Sequence, residues 1–185
     1  MDDKVGSLER LLAELRRLNK EIPRLRDRAV SAGKALWDHV EGGGRREEAP
    51  DMNDEILNAA PQLLVAVARI RRAAGALNSL TGYHLLRQEI DAFDERVQDA
   101  GTFRDFFEHA EDYLRGTGKL SDRVLWPGQA EMAIFPDGDL IFGVRGDSGT
   151  LIAGLTLAAD AGERLSQRVL VMGPALRQVL PRQEA

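Results

Sequence analysis

The chain has 185 residues, 25 of them basic and 30 acidic, for a net charge of −5. That acidity argues against a basic footprint spread over the whole chain for nucleic acid or anionic membrane. Cysteine is absent, which excludes disulfides, thiolate nucleophiles and cysteine-held zinc or iron–sulfur sites. The three histidines, His39, His84 and His109, stand far apart, so no local histidine-rich metal motif exists. No cofactor or metal is expected. The start, MDDKVGSLER, lacks an apolar signal region. No apolar run approaches the roughly 18 residues of a membrane span. A soluble, cytoplasmic protein is the expectation.

In chain order, Leu8, Leu11, Leu12, Leu15, Leu18 and Ile22 step by three and four, the mark of one apolar helical face. Ser7 suits the N-cap, and Pro23 is expected to end or restart the helix. A second stretch carries Leu25, Ala29, Ala32, Leu36 and Val40, and Gly42-Gly43-Gly44 stops it. Residues 41–50 read as a polar loop. The triple glycine lacks both the Gly-Lys-Ser/Thr ending of a phosphate loop and a preceding strand. Asp51 with Asp54 or Glu55 opens a third helix through Leu63, Leu64, Val67, Ile70, Ala74 and Leu77. Pro61 marks either a kink or that helix's true start. Thr81-Gly82 is a break, and Leu86, Ile90, Phe93 and Val97 continue in a fourth helix over residues 83–99. Thr102, with Asp105 at N3, opens a fifth helix that runs to about Leu114 and closes at Gly116 and Gly118.

The texture then changes, and eleven of the 18 glycines lie in residues 101–185. The runs 130–135 and 139–145 flank Pro136-Asp137-Gly138, a hairpin signal. Asp137 and Asp139 read as turn chemistry, because the other ligands of a calcium loop are missing. Residues 150–157 suggest a third strand. Asp160 and Glu163 signal a last helix through Leu165, Val169, Met172, Leu176 and Val179, with Pro174 near its end. The expected fold is mainly α. It comprises a bundle of four to five helices over residues 1–118, then a small C-terminal antiparallel β-hairpin or sheet and a final helix over 119–185. Two strands alone are marginal, so this second part is expected to pack on the bundle as one unit.

Chemistry concentrates in residues 93–113, which hold five of the ten aromatics. Within them lies Arg104-Asp105-Phe106-Phe107-Glu108-His109. This segment resembles the HEPN family (higher eukaryotes and prokaryotes nucleotide-binding domains). That family's mark is an arginine, often a polar follower, four to six residues in all, then a histidine. Arg104, Asp105 and His109 match those positions. The resemblance covers residues 1–118 and implies an all-helical scaffold. It further implies a metal-independent ribonuclease of a toxin or phage-defence system, acting as a homodimer, with Arg104, Asp105 and His109 catalytic. The family also includes members that bind nucleotides or only dimerise. In toxins paired with a nucleotidyltransferase antitoxin, a tyrosine stands two residues after the histidine. Glu111 stands there here, and Tyr113 is out of register, so tyrosine modification is not carried over.

The implied chemistry is coherent. Histidine titrates near neutrality and can accept the proton of an RNA 2′-hydroxyl. A guanidinium can hold two oxygens of a phosphorane-like transition state. On a straight helix, five residues turn about 500°, which leaves Arg104 and His109 roughly 140° apart. An irregular first turn or a two-fold dimer would reunite them, and the resemblance implies the dimer. Residues 87–122 carry ten acidic and five basic side chains, a net −5 around this motif. RNA binding would need compensation. Arg16, Arg17, Lys20, Arg24, Arg26 and Arg28, with Arg69, Arg71 and Arg72, form the candidate stripe. The same acidity supports a second expectation, a non-enzymatic interaction or scaffold module with a protein partner.

Overall fold

The structure is a computed structural model that describes residues 2–45, 48–97, 130–135, 137–146 and 149–180. Among these the protein is mainly helical. The helices are α1 (Asp2–Glu41), α2 (Pro50–Thr81), α3 (His84–Arg96) and α4 (Leu155–Val179). Three backbone strands precede α4: β1 (Ala130–Ile134), β2 (Leu140–Gly146) and β3 (Gly149–Gly154). They pair antiparallel in the order β1-β2-β3. The expected fifth helix, from Thr102 to about Leu114, and the boundary at 118/119 lie outside the described residues.

α1 corrects two expectations. It runs unbroken for 40 residues, with Pro23 inside it and Ser7 in its second turn rather than at its cap. An interior proline removes one backbone hydrogen bond and costs about 3 kcal/mol. Burial outweighs it here. Leu18, Ile22 and Leu25 are each at most 4% exposed around that proline, and each is worth roughly 1.5–3 kcal/mol. Replacing Pro23 with alanine should therefore stabilise the protein by about 2 kcal/mol, less what the freer unfolded chain takes back. A raised urea midpoint with an unchanged slope would show it.

The buried apolar side chains of α1, Leu8, Leu12, Leu15, Leu18, Ile22, Leu25, Ala29, Ala32 and Leu36, are spaced by threes and fours. That period keeps one seam pointed at a neighbouring helix. α2 begins with Pro50 at its first turn, where the missing N–H costs nothing. Pro61 lies inside α2 and is not its start. Gly82 closes α2 at φ +64°, its N–H donating to the Asn78 carbonyl at 2.7 Å. α3 ends at Arg96, short of the expected residue 99, and the Val97 N–H donates to the Phe93 carbonyl. α4 starts at Leu155, so residues 155–157 are helical rather than strand, and Pro174 lies within it.

The start of α4 has a physical cause five residues before Asp160. One carboxylate oxygen of Asp139 accepts the Thr156 N–H at 3.2 Å and the Thr156 hydroxyl at 2.7 Å. This satisfies an orphan donor of the first turn and places negative charge at its positive end. The turn that presents Asp139 rests on α1. Gly138 has φ +86°, and a Cβ there would lie 2.3 Å from the Val30 carbonyl oxygen. Only glycine allows that approach.

Cross-helix contacts fix the directions. Arg28 meets Glu55 at 2.7 Å, and Arg69 meets Glu14, so α1 and α2 are antiparallel. Arg26 reaches Glu163 at 3.1 Å and Asp160 at 3.2 Å, while Arg177 holds Glu9 through two bonds at 2.6 and 3.0 Å. α4 is therefore antiparallel to α1 as well. Arg71 grips Asp94 side-on at 2.8 and 2.7 Å, joining α3 to α2. Ser166 is the one buried polar side chain among the described residues. Its hydroxyl lies 2.6 Å from Asn19 Oδ1 and 2.9 Å from the Glu163 carbonyl.

These pairs give stability opposing pH dependences. The Arg177 hydrogen bond holds Glu9 below the ordinary carboxylate value, and the Arg17 hydrogen bond, aided by Arg69, does the same for Glu14. Burial pushes Glu163 upward despite Arg26, because Asp160 and Asp27 crowd the same guanidinium. Lowered folded values mean that Glu9 and Glu14 stabilise above the ordinary value, and that this is lost as pH falls through the folded one. A raised folded value means that stability falls as pH rises from the ordinary value through that of Glu163. Glu163→Gln should remove that fall, and Glu9→Gln with Glu14→Gln should flatten the acid limb. Urea midpoints across the acidic range check both signs.

Candidate functional site

Arg104, Asp105 and His109 lie outside the described residues, as do Phe103, Phe106, Phe107, Glu111 and Tyr113. The described chain leads toward them through α3, whose last residue, Arg96, stands eight positions before Arg104. At that end of α3 an open cavity of about 210 Å3 lies against α4. Its walls include Glu89, Phe93, Arg96, Arg164 and Leu165. Opposite charges face one another across it, and Glu89 lies 3.8 Å from Arg168. Among the described residues no histidine, serine or threonine lines it.

The other two histidines have structural places. His84 is the first residue of α3, exposed, with its ring tilted against Tyr83 at 5.8 Å between centroids. His39 lies in the last turn of α1, where a histidine suits the helix dipole. Its Nε2 is 3.0 Å from the Arg45 carbonyl oxygen, folding the following loop back over the helix end. Among the described residues no group of histidine and carboxylate side chains could hold a metal ion. Asp137 and Asp139 are engaged in turn and cap: Asp137 Oδ1 accepts the Asp139 N–H at 3.1 Å.

Eight of the nine cations of the basic stripe divide into two sets. Arg17 bonds Glu14 at 3.0 Å and Glu21 at 2.6 Å. Arg26, Arg28, Arg69 and Arg71 each meet a carboxylate of another helix. For Arg26, burial opposes the charge, while Glu163, Asp27 and Asp160 more than restore it. These cations belong to the joints of the bundle. Arg16, Lys20 and Arg24 differ. All three are exposed, and no carboxylate among the described residues lies within ion-pair distance of them. They stand four residues apart on one face of α1 and line an open groove of about 520 Å3 together with Arg17 and Glu21.

Sequence reading put all nine cations in one stripe. The pair Arg17–Glu21 was legible from its spacing of four. The pairs that consume Arg26, Arg28, Arg69 and Arg71 join residues 23 to 137 positions apart, or in different helices, and have no local signal.

Comparison with known proteins finds no matching family model, no matching curated protein and no matching solved structure.

Proposed function

We propose that this chain is a HEPN-like helical protein that cleaves RNA without a metal ion, as a cytoplasmic homodimer of a toxin or defence system. The observation that carries the reading is the segment Arg104-Asp105-Phe106-Phe107-Glu108-His109, eight positions beyond the end of α3 in a mainly helical protein. In the proposed step the 2′-oxygen attacks the adjacent phosphorus, and His109 takes the hydroxyl proton. The bond from phosphorus to the 5′-oxygen breaks, and that oxygen takes up a proton from an imidazolium or from water. Arg104 holds the charge that develops on the non-bridging oxygens. Asp105 orients the guanidinium or the imidazole. The products are a 2′,3′-cyclic phosphate and a 5′-hydroxyl. The small sheet of β1, β2 and β3 is assigned a structural part, that of presenting the Asp139 cap to α4.

The test is RNA cleavage and growth arrest on expression, for the unmodified chain against His109→Ala. Cleavage by the first and not the second is the expected result. Equal behaviour overturns the catalytic reading. It would then favour an interaction module, for which the ten acidic residues of segment 87–122 speak.

A further inference from the structure

We infer that the exposed face of α1 carrying Arg16, Lys20 and Arg24 is a track for the phosphate backbone of single-stranded RNA, separate from the Arg104–His109 motif. Acids outnumber bases in this chain, 30 to 25. The other arginines of α1, Arg10, Arg17, Arg26 and Arg28, each meet a carboxylate. Arg16, Lys20 and Arg24 instead stand in line with no acid in direct ion-pair contact, although Arg16 is near enough to Glu9 to help hold its carboxyl down. Their separation of four residues sets them about 6 Å apart along the axis. Successive phosphates of an unpaired strand can follow that row. The face is opposite the seam of Leu15, Leu18, Ile22 and Leu25, so the track costs the core nothing.

A second groove favours an unpaired strand over a duplex. It adjoins the row at Glu21 and encloses about 300 Å3 between α1 and α2. Pro61 and Val65 form its accessible apolar part over the buried Leu18 and Ala66, with Glu21, Gln62 and Arg69 as its polar lining. An apolar floor with a polar rim suits the flat face and the hydrogen-bonding edge of a base whose partner is absent. A duplex keeps its bases stacked inside and has none to offer. The inference takes RNA as its polymer from the ribonuclease reading and rests on it in that respect only.

The experiment measures binding of a fluorescent, mixed-sequence single-stranded RNA to the full chain over a range of salt concentrations. His109→Ala serves as the parent, so that the probe stays intact. Adding Arg16→Gln, Lys20→Gln and Arg24→Gln should weaken binding at least about tenfold and reduce the slope of log affinity against log salt by about 2. A charge-matched control, Arg10→Gln with Arg28→Gln and Lys34→Gln, should leave the slope unchanged, because those cations already meet carboxylates. A parent that does not bind the probe overturns the inference. So does an equal loss in the two triple variants, or preference for duplex RNA of the same sequence. Cleavage is scored separately in the His109-containing chain. Loss of binding in the first triple variant together with equal cleavage by wild type and His109→Ala would keep the track and discard the ribonuclease.

Discussion

Replacing Gly162 with leucine is expected to lower the stability of the fold by about 3 kcal/mol. Gly162 is buried where α4 crosses α1 and α2. A Cβ there would already lie 3.0 Å from Ile22 Cδ1 and 3.1 Å from Val67 Cγ2. Alanine would need those side chains to yield only a few tenths of an ångström, and its helix propensity returns about 1 kcal/mol. The rest of a leucine side chain has nowhere to go in an interior packed like an organic crystal. The helices must then separate along a seam that also holds the Ser166–Asn19 contact, or Gly162 must move out of register. Gly6 supplies the control, since a Cβ there meets nothing within 4 Å. Gly6→Leu should leave the urea midpoint level or raise it. An unchanged midpoint in Gly162→Leu would show that α4 does not cross at this point.

His109→Ala should slow RNA cleavage by about 10²–10⁴-fold, the usual contribution of a positioned acid or base. Arg104→Lys should also be slow, because an ammonium keeps the charge but cannot present the two-pronged donor that a phosphate matches. The dimer makes a sharper forecast. If one protomer's Arg104 serves its partner's His109, mixed dimers of His109→Ala and Arg104→Gln chains carry one intact site. Co-refolding two inactive variants should then restore part of the activity, whereas sites contained within single protomers gain nothing from mixing.

Much of the bundle was legible because its signal is periodic. The steps through Leu8, Leu12, Leu15, Leu18 and Ile22, and those through Leu63, Leu64, Val67, Ile70 and Leu77, repeat locally. They match the buried faces of α1 and α2. Thr81-Gly82 was readable for a different reason, since the left-handed conformation at a helix end favours glycine. The prolines misled. Propensity assigns Pro23 to a helix end, but the apolar seam on both sides of it is stronger than one missing hydrogen bond. Asp160 and Glu163 misled in another way. Acids near a helix start were read as its cap, whereas the cap is Asp139, 17 positions from its partner Thr156 and supplied by a turn. Both acids instead share Arg26. Arg16, Lys20 and Arg24 could be seen as basic, but not as a set apart. That distinction depends on which acids the fold brings to their neighbours.

α1 sets the timetable of folding. At 40 residues it is about 60 Å long, and it leaves the ribosome before the helices that cover it. Its partner α2 follows at once, but α4 begins more than a hundred residues later, and the Glu9–Arg177 contact closes a loop of 168. Until that strand of synthesis ends, the apolar flank meant for α4 has nothing to lie against. Such late closure is slow and leaves a sticky intermediate in which chaperones have an opening. A nascent chain stalled before residue 155 is therefore an incomplete core rather than a smaller protein. Losing α4 would therefore open the apolar flank of α1 and unseat the bundle as a whole.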